Sequence, residues 1–447
     1  MAGDSPKTLL MLCYHYPPGV SGGVERSVRF VRHLPSYGWN AVVLTTARHG
    51  EGVPAAGERI VRAGELFVRT PERRAADAHE ETGVAPPIPG PAARWIEKWL
   101  LVPDKHVRWA LIAAGRALRL LRAGGIDAVY SSSPPESSHC LALALKRLTG
   151  TPWIMDLRDP WTLEPLRWYL RAGGPRLALE RRIERLAFAN ADAVVVNTEE
   201  AAAEYRARYP RAAGRISAIP NGWDAAEFAA ARAGLEDGER SRRPFFGDAA
   251  GASPGAGAFV VAHVGTFSRH ADVPAYPLAF FEAVERLAAE GVVSERNFRI
   301  VLAGAIHPMA AREIDGLGLG GVLDRRGSVS HAEALRIMVE SDLLLLYDPV
   351  REGRYYVRGK LYEYLAAGAW ILGLLPEGAT RRLLERSGRG VVAEPDDGEG
   401  IRRALLRFLA ERPRPGFSNG FDLERYEGAA LVASLARVLD EATARGG

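Results

Sequence analysis

The sequence predicts an α/β fold made of two Rossmann-like, doubly wound parallel-sheet domains, and three observations predict it. Apolar runs of strand length alternate with segments of helical periodicity along most of the chain. The alternation is interrupted once, over 225–257, by a stretch rich in Ala, Gly, Glu and Arg whose 247–257 end has linker composition. The length of 447 residues, with 47% hydrophobic content, suffices for more than one core. The expected organisation is a first domain over 1–224, an interdomain segment over 225–257, a second domain over 258–419, and a terminal segment over 420–447.

Composition narrows the function classes. A formal net charge of +4 is small for this length and excludes a dedicated nucleic-acid binder. Two cysteines, Cys13 and Cys140, cannot make a disulfide framework or a metal site, which fits a reducing cytoplasm. The apolar start over 8–14 is too short for a signal peptide or a membrane span, and no other run is long enough.

The chain opens with a strand over 8–14, a loop holding Gly19, Gly22 and Gly23, a helix over 24–34 and a strand over 41–46. Gly22 and Gly23 before a helix let backbone N–H groups approach a diphosphate, or form a plain tight turn. Two short strands are expected over 59–62 and 66–69. Over 94–122, Trp95, Trp99 and Trp109 are interleaved with Lys98, Lys105, Arg108, Arg116, Arg119 and Arg122. This pattern suits an anionic membrane surface or, alternatively, a core helix with a solvated basic face. A strand over 127–131, a helix over 137–148 and a strand over 152–156 follow. The loop after the last of these holds Asp156, Arg158 and Asp159, at a strand's carboxyl end where open sheets bind ligands. A salt-bridged turn is the alternative. A basic helix over 175–189, a strand over 193–197, a helix over 199–208 and the turn Pro220-Asn221-Gly222 complete the half.

The second half restarts with a strand over 259–264, after which Gly265 and Arg269 are placed to meet phosphate. Helices are expected over 275–289, 309–317 and 331–340, and strands over 298–303, 322–325 and 343–346. A helix then begins at Gly359 and closes at Gly368, in the C′ position that glycine favours. Arg358 and Lys360 sit at its N-terminus, where the macrodipole already presents roughly half a positive charge. They either point to water or, with the free N–H groups, complete a phosphate site. Glu363 shares Lys360's face among apolar neighbours including Leu361, and such a carboxylate needs donors. The two hydroxyls of a ribose would supply them, so the helix suits a nucleoside diphosphate; the alternative is a rim carboxylate paired with Arg358 or Lys360. Helices over 377–386 and 400–410, a strand over 390–393 and a long helix over 422–443 finish the chain.

The stretch Glu363-Tyr-Leu-Ala-Ala-Gly368 resembles the C-terminal signature of the family-4 glycosyltransferases, which have the GT-B fold. The resemblance implies two domains facing a cleft, with the last helix crossing back to the first domain. It implies that Glu363 binds the donor ribose, with Gly22, Gly23, Gly265, Arg269, Arg358, Lys360 and Leu361 around the donor. The family's second Glu, eight positions earlier, is replaced here by Tyr355. The opening Tyr16-Pro-Pro-x-x-x-Gly-Gly-Val-Glu25, the element Asp156-Leu-Arg-Asp-Pro-Trp161 and the hinge Pro220-Asn-Gly-x-Asp224 are also similar to the family's. Many members have a His after the preceding strand. Here that loop holds Ser131, Ser132 and Ser133, and His139 lies within the next helix.

The implied activity is a retaining transfer from a nucleotide diphosphate-sugar to a glycan or lipid-linked acceptor at the cytoplasmic face of a membrane. Arg269, Lys360 and Asp159 are its candidate catalytic residues, and Arg158, Asp159, His139 and Tyr355 candidate acceptor or sugar contacts. No metal or cofactor is expected, since leaving-group charge can be met by the cations and the Gly359 helix. A nucleotide-sugar epimerase and a catalytically silent nucleotide-binding scaffold are the competing readings.

Overall fold

A computed structural model describes residues 5–19, 23–50, 58–66, 90–163, 170, 174–233, 258–270, 273–348, 353–411, 417 and 420–446, with backbone alone for 268–270 and 273–275. The first domain is a seven-stranded sheet in the order β3-β2-β1-β4-β5-β6-β7, parallel throughout. Its strands are β1 (Lys7–Leu12), β2 (Trp39–Thr46), β3 (Arg59–Ala63), β4 (Ala128–Ser133), β5 (Trp153–Leu157), β6 (Ala193–Val196) and β7 (Ile216–Ala218). The second is a six-stranded parallel sheet of β8 (Phe259–Val264), β11 (Phe298–Ala303), β12 (Leu323–Gly327), β13 (Leu343–Tyr347), β14 (Trp370–Leu374) and β15 (Gly390–Ala393), in the order β12-β11-β8-β13-β14-β15. Within each sheet the order is that of a doubly wound fold, reversing direction beside β1 and beside β8.

Parallel strands are covered by helices on both faces, which is why their sequences are continuous apolar runs. On one face of the first sheet Leu10, Leu44, Val129 and Met155 pack with Trp109, Ala142 and Phe188. On the other face, Leu9, Met11, Val43 and Ile154 meet Phe30 and the terminal helix Gly428–Gly446 through Leu431, Val432, Leu435 and Leu439. The last helix therefore crosses back onto the first domain. Polar contacts fix its register: Trp39 Nε1 and Lys7 Nζ both reach Asp440 Oδ1, at 3.2 and 2.8 Å.

Residues 225–257 were expected to form an interdomain segment. The helix Ala225–Arg232 occupies their beginning, and its Phe228 and Ala231 pack in the second domain's core with Val260, Leu335 and Leu361. Asp224 caps it, accepting from the N–H groups of Ala226 and Glu227. A helix expected from 275 starts instead at Leu278, after an antiparallel hairpin of β9 (Ser268–His270) and β10 (Val273–Ala275). The strand expected over 66–69 lies outside the described residues apart from Leu66. The 94–122 segment is two helices, Pro91–Trp99 and Val107–Arg122.

Candidate active site

The carboxyl ends of β1 and β4 in one sheet, and of β8 and β13 in the other, lie at the switch point of each sheet, where open sheets bind ligands. On the second domain's side, β8 ends at Gly265, whose φ of +145° suits glycine. A Cβ there would collide with Lys360 Nζ, so this backbone approaches the ammonium as only glycine can. Lys360 is the second residue of the helix Gly359–Ala367. Burial pulls its pKa down to about 8, against the attraction of Glu363.

Glu363 lies one turn further along. Burial raises its pKa, and Glu25 adds to the rise, while His331, Arg29 and Lys360 draw it down. None of the described residues donates a hydrogen bond to it, which leaves its oxygens for a ligand hydroxyl. Arg358 is turned away from the helix axis: Nε and Nη2 meet the two carboxylate oxygens of Asp348 at 2.9 and 2.5 Å. The N–H of Leu361 donates to the Arg358 carbonyl (2.9 Å), and the Leu361 side chain is fully buried. Of the sequence-predicted donor group, Lys360, Gly265 and Glu363 come together.

Arg269 lies in β9, and its side chain is outside the described residues, as is the whole of Gly22. Gly23 is described, and a Cβ on it would fall on the guanidinium of Arg158. Arg158 donates Nε to the Ser133 carbonyl (3.0 Å) and Nη2 to that of Pro134 (2.6 Å), which leaves Nη1 turned to the Gly23 loop. Asp159 is half-buried. Burial raises its pKa, while Arg158 and, from the second domain, Arg358 oppose the rise. Asp159 is thus acted on by a cation from each domain.

Asp156 has a different role. It is buried and forms a bidentate pair with Arg26 of the helix Val24–His33, at 2.8 and 3.1 Å. Ser132 Oγ donates to it as well. Burial would raise its pKa, but Arg26 holds it below the usual carboxylate range. The salt-bridged turn read as an alternative is thus a long-range bridge, with Arg26 as the partner in place of Arg158.

His139 is fully buried, with Nδ1 2.8 Å from Ser131 Oγ, and burial depresses its pKa to about 3. It underpins the β4 loop from within the fold. Tyr355 packs against the first domain's core, and its carbonyl accepts from Thr198 Oγ1 (2.8 Å). Where the family has a carboxylate, this chain has an interdomain contact.

Two features escaped the sequence reading. His263 within β8 donates Nδ1–H to the Leu345 carbonyl (2.9 Å), leaving Nε2 without a hydrogen-bond partner near Gly265. It reads in sequence as one more position of a buried strand. Glu25, Glu227 and His331 each bring a ligand atom within 4.8 Å of the others. His331 Nε2 lies 3.2 Å from Glu227, and that hydrogen bond lifts its pKa to about 9. In the metal-free protein the three groups belong to an ion-pair cluster in which His331 and Arg32 both contact Glu227.

Residues 21–227 match the family described as Glycosyltransferase Family 4. No curated protein matches the chain. Solved structures of the same fold include sucrose-phosphate synthase from Thermosynechococcus elongatus, at 15% identity and a TM-score of 0.60, covering 98% of this chain and 97% of that one. HepE of Anabaena in complex with UDP and glucose aligns at 13% identity and a TM-score of 0.59, covering 97% and 99%. The UDP-forming α,α-trehalose-phosphate synthase of Burkholderia xenovorans in complex with glucose-6-phosphate aligns at 13% and 0.61, covering 97% and 100%. At these identities the likeness concerns the fold, which is GT-B.

Proposed function

We propose, for a chain that belongs through residues 21–227 to Glycosyltransferase Family 4 and folds as GT-B, a retaining transfer of a sugar from a nucleotide diphosphate-sugar to a glycan or lipid-linked acceptor. The observation that carries the reading is Lys360 Nζ lodged against Gly265 with Glu363 one turn along the same helix. Lys360 and the N-terminus of that helix meet the diphosphate, and Glu363 accepts from the ribose hydroxyls. In the reaction the bond from the anomeric carbon to the diphosphate oxygen breaks. The acceptor hydroxyl bonds that carbon on the same face and passes its proton to the departing phosphate oxygen. Lys360 stabilises the charge that develops there, a role that calls for no metal ion. Asp159, between Arg158 and Arg358, is placed to orient the acceptor or the donor sugar.

Neighbours crystallised with UDP and UDP-glucose support a nucleotide-sugar donor. The test is a thermal-shift series with UDP, GDP, ADP, CDP and dTDP on the wild type and on Glu363→Ala. Stabilisation by one nucleotide that the variant loses supports the site and names the base; no shift with any of them in folded protein overturns the reading. That second outcome would favour a catalytically silent scaffold, the reading that Tyr355 at the carboxylate position supports.

The helix Pro91–Trp99 has no buried residue, and Trp95, Ile96, Trp99 and Leu100 are exposed beside Arg94, Lys98 and Lys105. No described helix is long and apolar enough to cross a membrane. Interleaved aromatic and basic side chains on a surface helix suit the cytoplasmic face of an anionic bilayer. Buried Arg176 supports the segment, donating to the carbonyls of Lys98 and Pro103 (2.7 and 2.6 Å). Co-sedimentation with phosphatidylglycerol vesicles should fall in Trp95→Ser/Trp99→Ser; equal sedimentation of variant and wild type would refute the contact.

A further inference from the structure

The strand β8 reads Phe259-Val-Val-Ala-His-Val264, and His263 is its one polar side chain. The ring is held at an edge and on a face. Nδ1 lies 2.9 Å from the Leu345 carbonyl of β13, and Phe267 stacks on the imidazole with centroids 4.3 Å apart and planes inclined by 22°. A carbonyl can only accept, so Nδ1 carries the proton, and Nε2 of the neutral ring is left with a lone pair. Nε2 is buried and has no hydrogen-bond partner among the described residues. A buried acceptor in that state costs more than an apolar side chain of the same shape, so stability alone does not account for a histidine here.

The group within reach of that lone pair is Lys360. A Cβ on Gly265 would stand 3.5 Å from His263 Nε2 and 1.8 Å from Lys360 Nζ, so the two nitrogens meet at one backbone position, which glycine leaves open between them. An ammonium has three protons to donate, and none of the described residues accepts a hydrogen bond from this one. The charges acting on Lys360 are Glu363 and Arg358, both at its own helix, and Arg358 is committed to Asp348. Tyr364 of that helix has its hydroxyl oxygen on the Val264 N–H (3.0 Å). The charge acting on His263 is Lys360.

We propose that His263 is a positioning residue for the donor: its Nε2 accepts a hydrogen bond from the Lys360 ammonium and so aims the remaining N–H groups at the leaving diphosphate. The proposal rests on the transferase reading above. His263 acts through Lys360 and touches no part of the substrate. To meet a phosphate oxygen itself, Nε2 would need a proton, and an imidazolium there would face the ammonium at a site where burial already keeps the ring neutral. As an acceptor, the imidazole instead favours the charged form of Lys360 against the burial that opposes it.

Two variants separate the roles of the ring nitrogens. His263→Asn keeps an N–H for the Leu345 carbonyl and removes the acceptor; His263→Gln puts an amide oxygen within reach of the Nε2 position. The first measurement needs no ligand: the Cε signals of labelled lysines are followed by NMR from pH 6 to 10, with Lys360 identified by its loss in Lys360→Arg, beside Lys7, Lys98, Lys105 and Lys146. Lys360 should titrate near 8 in the wild type, about one unit or more lower in His263→Asn, and close to the wild type in His263→Gln. The second is isothermal titration of UDP at pH 8.5, where His263→Asn should bind roughly tenfold more weakly and His263→Gln should recover most of the loss. The wild type supplies a third reading, since the nitrogen signal of His263 Nε2 should move as Lys360 loses its proton; a flat signal overturns the proposal whatever the variants do. His263→Asn equal to the wild type in either of the first two measurements also overturns it, as does His263→Gln impaired as deeply as His263→Asn, which would reduce His263 to its bond with Leu345. If none of UDP, GDP, ADP, CDP and dTDP binds the wild type while the Lys360 midpoint moves as expected, the transferase reading falls and the pairing of the two residues stands.

Discussion

Raising the pH should switch off nucleotide binding through Lys360 alone. Its pKa in the unliganded protein is drawn down to about 8 by burial. A bound diphosphate favours the charged ammonium, so affinity is full below pH 8 and declines above it. Each pH unit beyond 8 costs about tenfold, until the contribution of Lys360 is exhausted. A hydrogen bond to a charged group contributes about 1.5–3 kcal/mol, or about 10- to 150-fold in Kd, so the decline should level off within one or two units. Two of the groups around it do not titrate in that window: His263 has its pKa near 3, and Arg358 is an arginine paired with Asp348. The assay is isothermal titration of UDP from pH 7.5 to 10 on wild type and Lys360→Ala. The variant should show the full loss already at pH 7.5 and no further slope. A slope that persists in Lys360→Ala, or an unchanged affinity at pH 7.5, would refute the assignment of Lys360 to the diphosphate.

Three further outcomes follow from the packing. Asp156→Ala strands buried Arg26 without its carboxylate and should cost about 3–5 kcal/mol in a urea titration, where a midpoint equal to wild type would count against the bridge. The His331–Glu227 pair raises the imidazole pKa to about 9, so its stabilisation is fully present below the unfolded value near 6.5 and disappears as pH rises through 9. His331→Ala should therefore melt below wild type at pH 6 and converge with it near pH 10; a gap independent of pH would contradict this. Leu435→Ala in the terminal helix, at a fully buried position against the first sheet, should cost about 2–5 kcal/mol, and a value near zero would deny that this helix is part of that core.

The sheets were legible because parallel strands covered on both faces must be apolar throughout, and Leu343–Tyr347 or Phe259–Val264 admit few other readings. The hairpin at 268–275 was not, since three-residue strands such as Ser268–His270 carry no period. Glu363 stood out as a carboxylate among buried neighbours, a conflict visible from composition alone. The fate of Arg358 was hidden: Asp348, its partner, lies ten positions back across a loop, and only the fold brings the two together. Arg158 misled for the same reason. Flanked by two aspartates in sequence, it bonds carbonyls of the preceding loop, and Asp156 takes an arginine 130 positions away. Charge at a position can be read from sequence, but its counter-charge is chosen by topology.

That choice of partners links the two halves of the cleft. Arg26, while held by Asp156, also donates Nη1 to the carbonyl of Pro220 (2.7 Å), at the turn that ends the first domain. The next residue, Asn221, lies 3.5 Å from where a Cβ on Gly359 would stand, at the head of the helix that carries Lys360 and Glu363. Arg32 and His33 from the same helix as Arg26 reach Asp224, 2.8 and 3.0 Å away, which caps the helix Ala225–Arg232 packed in the second core. The helix after the glycine loop is thus anchored to the floor of the first domain at one end and to the hinge at the other.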